Sequence, residues 1–163
     1  MTDEGASANE QLMAACRNDQ EDTVEEILES GNYDIKYTDG AGNTAAHLAA
    51  KYGSLACLEW LVNLDDIDLN IKNRMEGNTP LHYAVEFQTQ DVDTAAAMVD
   101  ILLQGGADIK VENRNKMTPS MLVLPKNKEI SDLLAQSTAA YEIDDADIAN
   151  DDDYGSDDGE ASD

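Results

Sequence analysis

Four side chains in this chain of 163 residues have the chemistry for proton transfer at neutral pH or for soft-metal binding: His47, His82, Cys16 and Cys57 are its only histidines and cysteines. A catalytic base needs a nucleophile and an orienting group beside it, and a zinc site needs ligands at converging spacing. The sequence offers neither a Cys-x-x-Cys nor a His-x-x-x-His pair. Asp151-Asp152-Asp153 with Asp157-Asp158 lacks the alternate-position ligands and closing Glu of a calcium loop. Gly105-Gly106 follows a helical pattern and lacks the Gly-Lys-Ser/Thr end of a phosphate loop, so it reads as a helix stop. Each cysteine lies in an apolar helical pattern and is read as a buried free thiol. The chain is therefore read as a non-enzyme with no metal and no cofactor.

The histidines belong to a stretch that occurs twice, Gly42-Asn43-Thr44-Ala45-Ala46-His47-Leu48-Ala49-Ala50 and, 35 positions on, Gly77-Asn78-Thr79-Pro80-Leu81-His82-Tyr83-Ala84-Val85. Two histidines at equivalent points perform one task twice, which architecture requires and catalysis does not. The task is to tie a turn to the helix that follows it. Gly permits the turn, Thr44 and Thr79 can cap the helix through their hydroxyls, and Pro80 stands where a first helical turn loses nothing by lacking an N–H. Thr118-Pro119 repeats the helix start, with Met121 in the histidine position, Lys116 in the glycine position and Pro125 soon after. Helices this short and Ala-rich must stack on copies of themselves.

The Thr79-Pro80-Leu81-His82 form, recurring near a 33-residue period, resembles the ankyrin repeat family. The start Glu4-Gly5-Ala6-Ser7, Leu12 to Arg17, both histidine repeats, a long third repeat and an acidic C-terminus together are similar to small fungal members of that family. The resemblance implies an all-α solenoid of about four repeats, helix-turn-helix units joined by hairpin fingers. It also assigns Thr44, His47, Thr79, Pro80, His82, Thr118 and Pro119 to the scaffold, and it puts a concave binding surface at the finger tips and first helices.

The expected organisation is a repeat domain over 1–136, with repeats at about 9–37, 38–70, 71–110 and 111–136, followed by a tail over 137–163. Residues 1–8 are small and polar and are expected to fray. Helices are expected from Glu10, over 45–51, over 55–62, after 94 and over 127–136, eight short ones in all. Thr79 to Thr118 spans 39 positions, so the third repeat carries six residues beyond the period. That excess is expected as a longer inter-helix loop or an extra turn on the upper or concave side.

The formal charge is −25, from 35 acids against 10 bases, and 11 of the acids lie in 137–163 without a base. Such a chain repels nucleic acid and anionic membranes and attracts a basic protein. No apolar run approaches the ~18 residues needed to span a bilayer, and the first residues lack the basic and apolar parts of a signal peptide. A cytoplasmic and nuclear location and a monomeric state are expected. The tail, with Asp144, Asp145, Asp151, Asp152, Asp153, Asp157 and Asp158 interleaved with Tyr141, Ile143, Ile148 and Tyr154, is too charged to fold alone and is expected to be disordered.

Mapped onto the concave surface that the resemblance implies, the candidate protein-binding residues are Lys51, Tyr52, Met75, Glu76, Glu86, Phe87, Arg114 and Met117, with Gly40, Ala41, Asn43, Asn78 and Asn115 beside them. Aromatic and Met anchors among polar groups suit a protein hot spot. Two functions compete. One is an acidic escort of a basic protein such as a ribosomal protein or histone, a use that a small acidic fungal ankyrin protein also has. The other is a regulatory adaptor or inhibitor that binds a signalling or metabolic protein, with the tail serving only solubility.

Overall fold

The computed structural model describes residues 4–139. Its helices are α1 (Glu4–Asn18), α2 (Glu21–Ser30), α3 (Ala45–Lys51), α4 (Leu55–Val62), α5 (Pro80–Glu86), α6 (Val92–Gln104) and α7, which is helical over 128–139. Two 3-10 turns, Phe87–Thr89 and Pro119–Leu122, complete the regular structure among the described residues. The elements pair in chain order and the pairs stack. α1, α3, α5 and the 119–122 turn form one row, each packed on the next, while α2, α4 and α6 form a second row behind it.

α3 and α5 have 7 residues each, too short to hold together in water without packing. Their stability comes from burial: every residue of Ala45–Ala50 and of Pro80–Val85 is buried. The many alanines let helices of adjacent repeats approach closely, and Leu58, Leu61, Leu81, Met98, Leu102, Ile130 and Leu134 fill the space between rows. Cys16 and Cys57 are free thiols within this core. A hydrogen bond with Cys57, then burial, holds the Cys16 thiol protonated.

Four expectations need correction. The first helix begins at Glu4, so residues 4–8 are helical rather than frayed; Ala6 and Ala8 favour that extension. The start of the fourth repeat is a 3-10 turn rather than an α-helix, because Pro125 limits the segment to one turn. The last helix continues through 139, where Thr138 Oγ1 donates to Leu134 O at 3.0 Å, so it crosses the boundary drawn at 136. α6 starts at Val92 rather than after 94, because the Asp91 side chain caps it by accepting from Asp93 N and Thr94 N, and its buried face is Ala95, Ala96, Met98, Val99 and Leu102. The tail from 140 onward, with its seven named aspartates, lies outside the described residues.

The extra residues of the third repeat are spent on the 87–89 turn and on α6, which has 13 residues against 8 in α4. The turn carries Gln88, whose buried amide braces the last repeat. Its Nε2 donates to Leu122 O at 2.8 Å, and its Oε1 accepts from Leu124 N at 3.0 Å and Asn127 Nδ2 at 2.7 Å.

Candidate protein-binding site

The site rests on the two Thr-x-x-His turns. Thr44 caps α3 by accepting from His47 N at 3.4 Å, while His47 Nδ1 lies 3.1 Å from Thr44 N and 2.9 Å from Thr44 Oγ1. His47 Nε2 lies 2.8 Å from Asn78 O in the next finger. A carbonyl only accepts, so Nε2 carries the proton and Nδ1 accepts from the Thr44 N–H. The imidazole closes its own capping box and pins the following finger with the other nitrogen. Thr79 and His82 repeat this geometry, with His82 Nε2 2.8 Å from Met117 O. Burial lowers both imidazole pKa values from the ordinary 6.5, which keeps the rings neutral in this role.

Adjacent fingers are tied by an asparagine ladder. Asn73 Nδ2 donates to Asn43 Oδ1 at 2.8 Å, and Asn113 Nδ2 donates to Asn78 Oδ1 at 2.9 Å. Asn43 and Asn78 are therefore buried and not part of an open surface, a correction to their placement beside the binding residues. Their sequence signal was the recurrence of Asn directly after the turn glycine. The backbone continues the ladder: Arg74 N donates to Ala41 O at 3.0 Å and Arg114 N to Glu76 O at 3.0 Å. Gly42 and Gly77 have φ of 86° and 71°, and a Cβ on either would fall 2.5 or 2.9 Å from the next finger's backbone nitrogen. Glycine is needed there for both reasons.

The candidate binding residues then separate. Met75 and Tyr52 are open to solvent, at 66% and 46% exposure. Tyr52 has Arg17 Cζ 5.8 Å and Lys51 Nζ 5.9 Å from its ring centre, so it packs toward the preceding repeat. Phe87 is half-buried with its ring against Gly53, where a Cβ would fall 2.4 Å from Phe87 Cζ. Arg114 is exposed and its Nη2 donates to Arg74 O, just as Arg74 Nη2 donates to Gly40 O. Met117 is half-buried and serves the turn through its backbone, with its N–H on Asn113 Oδ1 at 3.1 Å. Arg114 and Met117 thus belong to the last finger, apart from the other group.

Lys51, Glu76, Glu86 and Phe87 come together with Tyr83, which the sequence marks only as part of a helix. They line a cleft of about 470 Å3 on the inner row, to which Leu122 and Leu124 also contribute. Tyr83 hydroxyl donates to Glu76 Oε1 at 2.6 Å and accepts from Asn73 Nδ2 at 2.6 Å. Asn78 Nδ2 adds a 3.3 Å bond to the same carboxylate oxygen. Burial and then the Glu76 bond raise the Tyr83 pKa, which keeps the phenol a donor. Partial desolvation, then the charge of Glu76, raises the Glu86 pKa, and Lys51 opposes the shift. Lys51 Nζ sits 5.5 Å from the Tyr83 ring centre.

Two stacked rows of short helices, joined by hydrogen-bonded fingers and started by Thr-x-x-His turns, make one architecture. The family model for ankyrin repeats (3 copies) matches residues 12–95. The chain belongs to the ankyrin repeat family. An ankyrin repeat-containing protein of Saccharomyces cerevisiae is 33% identical over 132 residues, covering 76% of this chain and 73% of that protein. A probable serine/threonine-protein kinase of Dictyostelium discoideum is 34% identical over 112 residues, which are 66% of this chain but 13% of the kinase. Human ankyrin repeat domain-containing protein 53 is 38% identical over 84 residues, 50% of this chain and 15% of that protein. An ankyrin array of this kind is a protein–protein interaction module, and the family is generally non-enzymatic. No helix among the described residues is long and apolar enough to cross a membrane.

Proposed function

We propose that this ankyrin protein is an acidic escort that holds a basic protein, such as a ribosomal protein or histone, until it is assembled, acting as a monomer in the cytoplasm and nucleus. The observation that carries the reading is the charge of the molecule and of its inner cleft. The chain has a formal charge of −25. Within the cleft, Glu76 and Glu86 face one base, Lys51. A basic client is attracted at long range by the whole field and meets carboxylates on arrival. Tyr52 and Met75 supply open apolar surface beside the cleft. An acidic protein would be repelled by this surface, and a neutral one would gain nothing from its charge.

The test is binding to an isolated core histone dimer across a salt series, with the full chain and with a variant carrying asparagine at Asp144, Asp145, Asp151, Asp152, Asp153, Asp157 and Asp158. The expected result is an affinity that falls steeply with salt and an on-rate that the variant lowers about tenfold at low salt. Unchanged affinity and on-rate in the variant would remove the tail from the escort role. Salt-independent binding would favour the adaptor.

A further inference from the structure

We infer that the cleft bounded by Lys51, Glu76, Tyr83, Glu86 and Phe87 is a receptor for a single arginine side chain of a protein partner. This rests on the reading of a basic client and names the point at which the client is gripped.

The cleft has the parts that a guanidinium uses. It is a true concavity, about 470 Å3, large enough for one long side chain and its flanking backbone. Its carboxylates are unequal. Glu76 is fixed, because Oε1 already accepts from Tyr83 Oη and Asn78 Nδ2 at 2.6 and 3.3 Å, which leaves Oε2 to accept from a newcomer. Glu86 stands at the C-terminal end of α5, where the helix dipole disfavours an anion and favours a cation. A cation placed between them relieves their mutual repulsion and the unfavourable dipole together.

Lys51 marks the spot from inside the protein. Its ammonium already lies 5.5 Å from the Tyr83 ring centre and 5.9 Å from that of Tyr52, so a cation is tolerated over these rings. One ammonium leaves the cleft one positive charge short of neutrality, since two glutamates line it with one lysine. A planar guanidinium supplies that charge, bridges two carboxylates with its fork of N–H groups and stacks on an aromatic wall. Phe87, seated against Gly53, provides the wall from below. An incoming arginine shifts Lys51 aside, and Lys51 is exposed enough to move.

The experiment measures binding of the full chain to a short peptide alternating arginine, glycine and serine, against the same peptide with citrulline for arginine. The citrulline peptide is expected not to bind. Glu86→Gln is expected to weaken the arginine peptide about tenfold, the value of one charge-assisted hydrogen bond. Glu129→Gln, an equal change of net charge on exposed α7, is expected to leave it within about twofold. Lys51→Met removes the internal competitor and is expected to strengthen binding about threefold, whereas Lys128→Met is not. If the peptide binds in a salt-dependent way but Glu86→Gln matches Glu129→Gln, or Lys51→Met matches Lys128→Met, the cleft is not the receptor and the basic-client reading stands. If the arginine peptide does not bind at low salt, both fall.

Discussion

The start of the third repeat and the start of the fourth are built from the same sequence idea and end differently. At Thr79 the hydroxyl caps a helix, His82 is fully buried, and its Nε2 reaches forward to Met117 O. At Thr118 no side-chain cap bond forms, a four-residue 3-10 turn replaces the helix, and Met121 in the histidine position is 59% exposed. What separates them is the finger that follows. Residues 105–118 lie in front of α5 and give His82 a carbonyl to bind, while among the described residues no finger lies in front of the 119–122 turn. At this exposed position a histidine would have no finger carbonyl to bind, so the turn has no use for one. The chemistry of this turn is set by its neighbour, not by its own helix.

Removing the histidine sharpens the contrast most. His82→Ala is expected to cost about 2–4 kcal/mol, because it leaves the buried Thr79 N–H without its acceptor, takes from Met117 O one of its two donors and empties the space of a fully buried ring. Met121→Ala at the matching position is expected to cost under about 0.5 kcal/mol. Urea midpoints of the two variants check this, and equal losses would break the comparison. The pH dependence carries the same difference. Both imidazoles are held below 6.5 in the folded chain, so on acidification the unfolded chain takes up their protons first. Stability from these groups is complete above about pH 6.5 and declines as pH falls below it toward the lowered folded-state values. In His82→Ala one of the two groups is gone, and the decline should be shallower.

The turn position itself gives the smaller effect. Lys116 holds φ of 65° in the place of Gly42 and Gly77, a left-handed conformation that an L side chain adopts at a cost. Gly42 and Gly77 also face a following finger at 2.5 and 2.9 Å, so a side chain is barred there, whereas Lys116 is exposed and only the backbone strain remains. Lys116→Gly is therefore expected to stabilise the protein by up to about 1 kcal/mol, read as a raised urea midpoint. No gain would mean that the lysine side chain makes a compensating contact.

The repeated elements were legible in the sequence because identical residues at fixed spacing answer identical neighbours. The Thr and His positions and the spans 45–51 and 55–62 could be read from the sequence for that reason. What depended on a neighbour 30 or more residues away could not be read. The forward bond of each histidine, the asparagine ladder between fingers and the Gln88 brace all join separate repeats. Tyr83 shows the limit most clearly: its place in the repeated stretch puts it in a helix and nothing more, yet it is buried and its hydroxyl fixes Glu76 at the cleft. Gln88 stood in a polar run with nothing to mark it as buried. The pairing of Glu76 with Glu86 required knowing that a finger tip and the end of the following helix face one space.

The central claim is that equivalent positions build the frame while positions that differ between copies make contact with the partner. The direct test measures the urea midpoint and the arginine-peptide affinity on the same samples of Thr44→Ala and Glu86→Gln. Thr44→Ala removes a buried helix cap and is expected to lose about 1 kcal/mol of stability with its affinity intact under native conditions. Glu86→Gln is expected to keep or raise the midpoint and to lose about tenfold in affinity. If the cap variant loses affinity instead, or the glutamate variant loses stability without losing affinity, frame and contact surface are not separate and the account is wrong.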